Sequence, residues 1–420
     1  MLTLSVIFLL LMVLLISYDL VVTIPFLRTV TASANIPDDN QKLPKAAIIM
    51  SLRGADPFLP DCIEGLLNQD YPDYIVCLVI DNRDDPAYTI LSDSRFDKYR
   101  SRLNIQILEK PLSSCSLKCA SQVQAIRSLP KDIEIFAFAD ADIIPYPRWL
   151  LSLVLPLQTK ESGAATGNRW YLPDDNPGFG TIVRYVWNSA AMISMYWLRI
   201  PWGGSMAIKR VLFDKTDILE HWENALCEDT SLNEYLKKLH LKLAFAPSLI
   251  MFNHENCSLA SFLTWETRQI LNNRLHHPMW FAIVAHAFGM VGIVLLNLIM
   301  LVITIIYGDN FAGTLLLSGL VLYSIVITGL LAIMEYRMAM IASKRGIQSN
   351  WLNPRTIMLV LVAIPIAHFL HPLIVTRALR ATMVEWRGIQ YRIVGPGKIS
   401  MVNYSPFINK DNDKARRESI

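Results

Sequence analysis

Long unbroken apolar blocks flank a central region in which short apolar runs are cut at intervals by polar turns. "LTLSVIFLLLMVLLISYDLVVTIPFL" opens the chain and is long enough to cross a bilayer, for which about 20 apolar residues suffice. No Lys or Arg precedes it, and it outlasts the usual signal peptide, which favours an uncleaved anchor over residues 1–26. Two later blocks, "WFAIVAHAFGMVGIVLLNLIMLVITIIY" and "FAGTLLLSGLVLYSIVITGLLAIM", are separated only by "GDN" and predict a tight helical hairpin. A weaker block, "TIMLVLVAIPIAHFLHPLIV", contains Pro365, His368, His371 and Pro372. It either spans or forms a broken, re-entrant or interfacial segment, closing a membrane region over 280–376.

Residues 45–275 have a different rhythm. "KAAIIMSLRG" reads as a strand entering a turn, and "PDCIEGLLNQDYP" has helical spacing at Ile63, Leu66 and Leu67 before a proline stop. "YIVCLVIDN" and "IEIFAFADAD" are continuous apolar runs of the kind buried on both faces of a sheet. Between them, "NIQILEK" predicts a further strand and "LKCASQVQAIRSLP" a helix. Strands alternating with helices predict an α/β fold with a doubly wound, mostly parallel sheet.

Ligands of such sheets bind beyond the carboxyl ends of the strands. Two acidic clusters sit there: Asp81, Asp84 and Asp85 in "DNRDDP", and Asp140 and Asp142 in "DAD". One acidic strand end is ordinary turn chemistry, whereas two on one edge point to a shared cation or nucleotide site. Neither a GxGxxG nor a Walker loop is present, so a nucleotide diphosphate here would need a metal. Mg²⁺ or Mn²⁺ is commonly held by one or two carboxylates plus substrate phosphates, which suits Asp140 and Asp142.

"LCEDTSL" sets Glu228 and Asp229 ahead of a helix. They either complement the helix dipole or supply a general base for a hydroxyl nucleophile. "TIVRYVWNSAAMISMYWLRIPWGGS" is rich in aromatic and apolar residues but carries Arg184, Asn188 and Arg199, so it suits an interfacial or a core helix better than a span. Gly203 and Gly204, following Trp202, either admit a close backbone approach to sugar or acceptor or form a plain turn.

Composition narrows the setting. The chain is 53% hydrophobic and 18% charged, below the about 25% charge usual in soluble domains, and its net charge of +3 argues against a nucleic-acid partner. Six cysteines lack any CxxC pair or zinc-ligand spacing and agree with a reducing compartment. Arg337, Lys344, Arg345 and Arg355 follow the predicted hairpin, whereas its tip has no cation. The positive-inside rule then makes this an integral membrane protein with residues 27–279 facing the cytoplasm. The basic tail, 377–420, with Arg377, Arg380, Arg387, Arg392 and Lys398, shares that side if the last apolar block re-enters or lies in the interface, which is the preferred reading. A cytoplasmic domain tethered at both ends, with an apolar apron before the glycines, points to a lipid acceptor.

"SLRGADPFLPDCIEGLLNQDYPDYIVCLVIDNRDDPA", "FADADIIPYPRWL", "PWGGSMAIKR" and "CEDTSL", in this order, resemble the ceramide glucosyltransferase group of inverting, metal-dependent family 2 glycosyltransferases. The tail "VEWRGIQYRI" is similar to the Trp-Arg-Gly-x-x-Tyr ending of that group. The resemblance implies a GT-A-like fold, a UDP-sugar donor, Mg²⁺ or Mn²⁺, and transfer of a hexose, glucose first among them, to a lipid hydroxyl such as that of ceramide or diacylglycerol.

Carried over residue by residue, it implies that Asp81 lies near the nucleotide base and ribose. Asp84 or Asp85 could share that role, because "DNRDDP" is one residue longer than the usual spacing. Asp142 and Asp140 become the metal pair, with Asp140 also on the donor, and Asp229 the catalytic base. Lys118 matches a lysine near the donor phosphates, against the ordinary solvated lysine of a helix. The Gln-x-x-Arg-Trp motif of the family is only partly present, which leaves Arg268, Gln269 and Arg274 as diphosphate contacts. Arg268 equally suits a basic surface at the membrane border. Trp202, Gly203, Gly204 and Glu228 form the acceptor or sugar region. Two alternatives stand beside this: a polysaccharide synthase, which usually brings more spanning helices and an intact motif, and a silent membrane scaffold, which has no use for three clustered carboxylates. His276 and His277 are expected to be structural.

Overall fold

The computed structural model describes residues 1–32 and 42–408; the end of the basic tail, 409–420, lies outside the described residues. Seven strands build the central sheet: β1 (Ala46–Leu52), β2 (Tyr74–Ile80), β3 (Leu103–Ile107), β4 (Ile135–Ala139), β5 (Ser162–Tyr171), β6 (Ser205–Lys209) and β7 (Lys242–Asn253). Their order is β3-β2-β1-β4-β6-β5-β7, and every neighbouring pair is parallel except the two that β6 makes. Among the described residues the eight helices of nine or more residues are α1 (Leu2–Thr31), α2 (Leu59–Leu67), α3 (Leu117–Ser128), α4 (Phe179–Leu198), α5 (Leu259–His276), α6 (Trp280–Ile306), α7 (Asn310–Lys344) and α8 (Pro354–Arg380).

The α/β fold with a mostly parallel sheet follows from two-sided burial of the strands. Ile48 and Met50 of β1 face one core with Ile63 and Leu66 of α2, while Ala47 and Ile49 face the other with Val123 and Ile126 of α3. Apolar side chains on both faces of every central strand leave no solvent side, which is why these segments read as continuous runs rather than alternating ones.

α1, α6, α7 and α8 are each long and apolar enough to cross a membrane. α1 packs chiefly against α7, and its outer face exposes Leu10, Leu14 and Val21; α6 exposes Ile305 and Ile306. Large apolar faces of this kind are compatible with a membrane setting. α8 is not broken: it stays helical through Pro365 and Pro372. Both its ends rest on the sheet domain. At the start, Arg355 Nη1 donates to Asn176 Oδ1 at 2.6 Å; at the end, the carbonyls of Ala378 and Ala381 accept from Arg274 at 2.7 and 2.9 Å. Between them α8 runs along α4 and α5. The first part of the tail then forms an antiparallel sheet, β8 (Met383–Trp386), β9 (Ile389–Gly395) and β10 (Lys398–Asn403), docked on the domain.

Candidate active site

Strand direction assembles the site. β1, β2, β4 and β5 all end on one edge of the sheet, and β6, antiparallel between β4 and β5, starts there. The register pairs Ala139 with Ser205, so Asp140 leaves β4 beside Gly204 as it enters β6. The glycines are a steric necessity. A Cβ on Gly203 would lie 2.1 Å from Glu228 Oε1, and one on Gly204 would lie 2.7 Å from Asp140 Oδ2 and 2.5 Å from the Trp202 ring. The close approach seen here is to the protein's own side chains Glu228, Asp140 and Trp202.

Three carboxylates and one lysine interlock around this point. Ser116 caps α3 by accepting the Cys119 N–H, which sets Lys118 in the first turn. Its Nζ lies 2.7 Å from Asp140 Oδ1 and 2.8 Å from Glu228 Oε1. Burial alone would lower the lysine pKa, but the charges of Asp140 and Glu228 hold it well above the ordinary value. Against its own burial, Asp140 is in turn drawn below the usual carboxylate range by Lys118. Glu228 is raised, chiefly by burial. Lys118 is thus a bridging cation rather than a solvated one. Asp229, next in the chain, accepts the Gly203 N–H at 3.0 Å and the Thr230 hydroxyl at 3.0 Å. Neither acid caps the following helix, Leu232–Lys238, which has no side-chain cap.

Asp142 sits across from this group. Its Oδ2 lies 3.3 Å from Arg169 Nη1, and Asn253 Nδ2 fixes its backbone carbonyl at 2.9 Å. Burial pushes its carboxyl pKa up, partly offset by Arg169. Its Oδ1 is buried with no hydrogen-bond partner, an acceptor that ordinary folded proteins rarely leave unpaired. An orphaned, oxygen-only acceptor beside a second carboxylate fits a hard divalent cation completed by substrate phosphates. Among the described residues no group of three or more His, Cys, Asp or Glu forms a self-sufficient metal cage.

Two cavities meet here. The smaller, about 170 Å³, is lined by Asp140, Asp142, Lys118, Glu228, Arg268 and Arg387 among others. The larger, about 540 Å³, is walled by apolar residues of α1, α4, α6, α7 and α8. Arg169, Trp202, Asp229, Trp265, Gln269 and Asn272 line both.

The sequence model of glycosyl transferase family 21 matches residues 8–399, nearly the whole chain. The chain belongs to glycosyl transferase family 21. Membership makes it a sugar transferase. No curated protein matches it significantly. Solved structures that this chain is similar to include the mannosyltransferase PcManGT from Pyrobaculum calidifontis in complex with GDP-Man and Mn²⁺, at TM-score 0.43 and 14% identity, covering 87% of this chain and 99% of that one. Glucosyl-3-phosphoglycerate synthase from Mycobacterium tuberculosis, in complex with phosphoglyceric acid, aligns at TM-score 0.37 and 15% identity over 55% of this chain and 78% of that one.

In this family 21 chain Asp140, Asp142, Lys118, Glu228, Asp229, Trp202, Gly203, Arg268 and Gln269 line one pocket, with Gly204 behind it. Arg268 stacks on Trp386 at 4.7 Å, and burial and Arg387 pull its pKa down to about 10. Arg274 is not brought there; it binds the terminal carbonyls of α8, as a cation near a helix C-terminus does. Asp81 lines neither cavity; it is buried and already engaged. Arg53 pairs with it, Tyr404 Oη donates to it at 2.7 Å and the Phe407 N–H at 3.0 Å. Asp85 is structural: it accepts the N–H groups of Gly54 and Ala87 at 2.9 and 2.8 Å, capping a short helix.

Sequence reasoning passed over Arg169, Trp265 and Asp56, and noted the "WRGIQY" ending without giving it a role in the pocket. Arg169 lies within 4.9 Å of the Tyr171 and Trp202 ring centres and 5.5 Å from that of Trp265. An arginine in the buried strand "SGAATGNRWY" was its only signal.

Proposed function

We propose that this family 21 enzyme transfers a hexose from a UDP-sugar, glucose in the first instance, to the hydroxyl of a membrane lipid such as ceramide or diacylglycerol, with inversion. One observation carries the reading: Asp229 lines both the acidic pocket and the apolar cavity between the long helices. A donor in the first and a lipid acceptor in the second would meet at its carboxylate.

The chemistry follows from the side chains. The acceptor oxygen attacks the anomeric carbon, its proton passes to the Asp229 carboxylate, and the bond to the diphosphate breaks with its electron pair leaving on the diphosphate. The Gly203 N–H and Thr230 hydroxyl orient Asp229 for this. Lys118 holds Asp140 and Glu228 in place. Asp142, with Asp140, is suited to hold Mg²⁺ or Mn²⁺, which when bound supplies charge neutralisation on the departing diphosphate. The pairing of Arg169 with Asp142 and its position among three rings keep a cation at the junction of the cavities. The long apolar helices support an integral membrane protein, and the cationic residues after α7 support a cytoplasmic catalytic domain. With both ends against that domain, α8 is read as lying in the interface.

The test is incubation of membranes containing the full chain with labelled sugar nucleotides and a lipid extract, followed by lipid chromatography. A one-sugar glycolipid that depends on UDP-glucose and a divalent cation supports the reading; a polymer, or no transfer from any nucleotide sugar, overturns it.

A further inference from the structure

Arg387 reaches the acidic pocket from far along the chain, and its backbone is held in an unusual state to do so. β8 and β9 are joined by the two-residue turn Arg387–Gly388, flanked by the pair Trp386 and Ile389. Both turn residues have positive φ, 52° and 72°. Such turns strongly favour Asn or Gly at the first position, because a Cβ there crowds the backbone. An arginine in that position is costly unless its side chain is needed where the turn aims it.

The turn aims it into the smaller cavity, where Arg387 Nη1 and Nη2 take the two oxygens of Asp56 at 3.0 and 2.7 Å. That fork commits two of five N–H donors and fixes the guanidinium plane. The hairpin itself is clamped: the Leu117 N–H donates to Tyr391 Oη at 3.2 Å, Met401 N to Ser113 O at 2.7 Å, and Arg53 Nε to Arg387 O at 2.9 Å. The other cations that line the pocket also have partners: Arg53 pairs with Asp81. Lys118 is shared between Asp140 and Glu228, Arg169 faces Asp142, and Arg268 lies on the Trp386 ring.

We propose that Arg387 is a binding residue for the donor diphosphate, contributed by the C-terminal hairpin and oriented by Asp56. It places a fixed guanidinium in the pocket from which Arg274 is absent, and it gives the "WRGIQY" ending a chemical purpose. The inference rests on the nucleotide-sugar reading above.

The test compares binding of uridine and of UDP to the full chain in detergent with Mn²⁺ present, for wild type, Arg387→Gln and Arg387→Lys. Expected is a loss of at least tenfold in UDP affinity for Arg387→Gln, partial recovery in Arg387→Lys, and uridine binding unchanged within twofold in both. Equal losses for uridine and UDP would mean that Arg387 only holds the hairpin in place, and unchanged UDP affinity would mean that it does not meet the phosphates; either overturns the proposal. Arg387→Lys retains the charge and the stem, so its UDP-to-uridine ratio decides the matter should Arg387→Gln fail to fold. A wild-type chain that binds no nucleoside diphosphate overturns the underlying reading, and this inference with it.

Discussion

Asp229 takes the amide hydrogen of Gly203 at 3.0 Å, so the proposed base is held by the backbone of the very turn that brings Asp140 alongside. An asparagine in its place retains an oxygen for that bond but cannot accept a proton. Asp229→Asn is therefore expected to lower transfer roughly a hundred- to ten-thousand-fold. UDP-sugar affinity should stay within about a factor of three, a binding measurement set beside turnover. Near-normal turnover, or a parallel loss of binding, would move the base elsewhere.

Gly203 and Gly204 tolerate no side chain. A methyl on Gly203 collides with Glu228, and one on Gly204 with Trp202 and Asp140. Gly204→Ala is expected to cost about 1–3 kcal/mol of stability, the usual scale for overpacking, and to reduce activity further by displacing Asp140. Thermal unfolding and turnover, measured together, check both halves.

Lys118 neutralises two carboxylates at once. Lys118→Met leaves the buried Glu228 and the partly buried Asp140 without a counter-ion, for which up to about 3–5 kcal/mol is the expected loss. The sign with pH is fixed by the direction of each shift. Asp140 lies below its ordinary value, so its share is present above the usual carboxylate range and lost as pH falls through the lowered value. Lys118 lies above its ordinary value, so its share is lost only as pH rises through the raised one. Denaturant titrations of the two proteins should differ most near neutral pH and converge toward strong acid.

His276 supports the same loop from behind. Its Nε2 accepts the Leu226 N–H at 3.3 Å, two residues before Glu228, so the ring is neutral with its proton on Nδ1. Burial, with a smaller contribution from His221, lowers its pKa from 6.5 to about 3. The folded chain thus holds fewer protons than the unfolded one between those values, and stability falls as pH drops through that window. His276→Gln keeps an acceptor and removes the titration; its unfolding midpoint should vary less between pH 7 and 4 than that of the wild type. Parallel profiles would assign the acid sensitivity to other groups.

What could be seen in the sequence was whatever a local pattern expresses. "YIVCLVI" and "IFAFA" are strands because both faces are covered, and the acids that end them fall on one edge because parallel strands end together. The antiparallel course of β6 was not legible, since five residues of "SMAIK" carry no sign of direction. Arg274 was chosen by its spacing from Gln269, but spacing along a helix does not say which neighbour the guanidinium meets; α8 has open carbonyls there. The tail was read through its positive charge and through the family-like "WRGIQY" ending, which was given no place in the site. Its alternation was also present, with Ile389, Tyr391 and Ile393 buried and Gln390 and Arg392 outward, a two-residue period that marks a strand lying on a core.

The engagement of Asp81 by the chain's own C-terminal segment has a consequence for how much donor the protein would need. Both carboxylate oxygens are taken by Tyr404 and Phe407 of the same chain, and Phe407 lies against Gly54, where a Cβ would come within 2.9 Å of its ring. A tethered occupant competes at an effective concentration that, for short links, reaches roughly the millimolar range whatever the amount of protein present. Any nucleoside that addresses Asp81 is then measured against this internal rival. Its apparent affinity is scaled down to the fraction of molecules in which those contacts are open. The segment that follows β10 would act as a threshold on nucleotide-sugar supply, set chiefly by the contacts that Tyr404 and Phe407 make with Asp81.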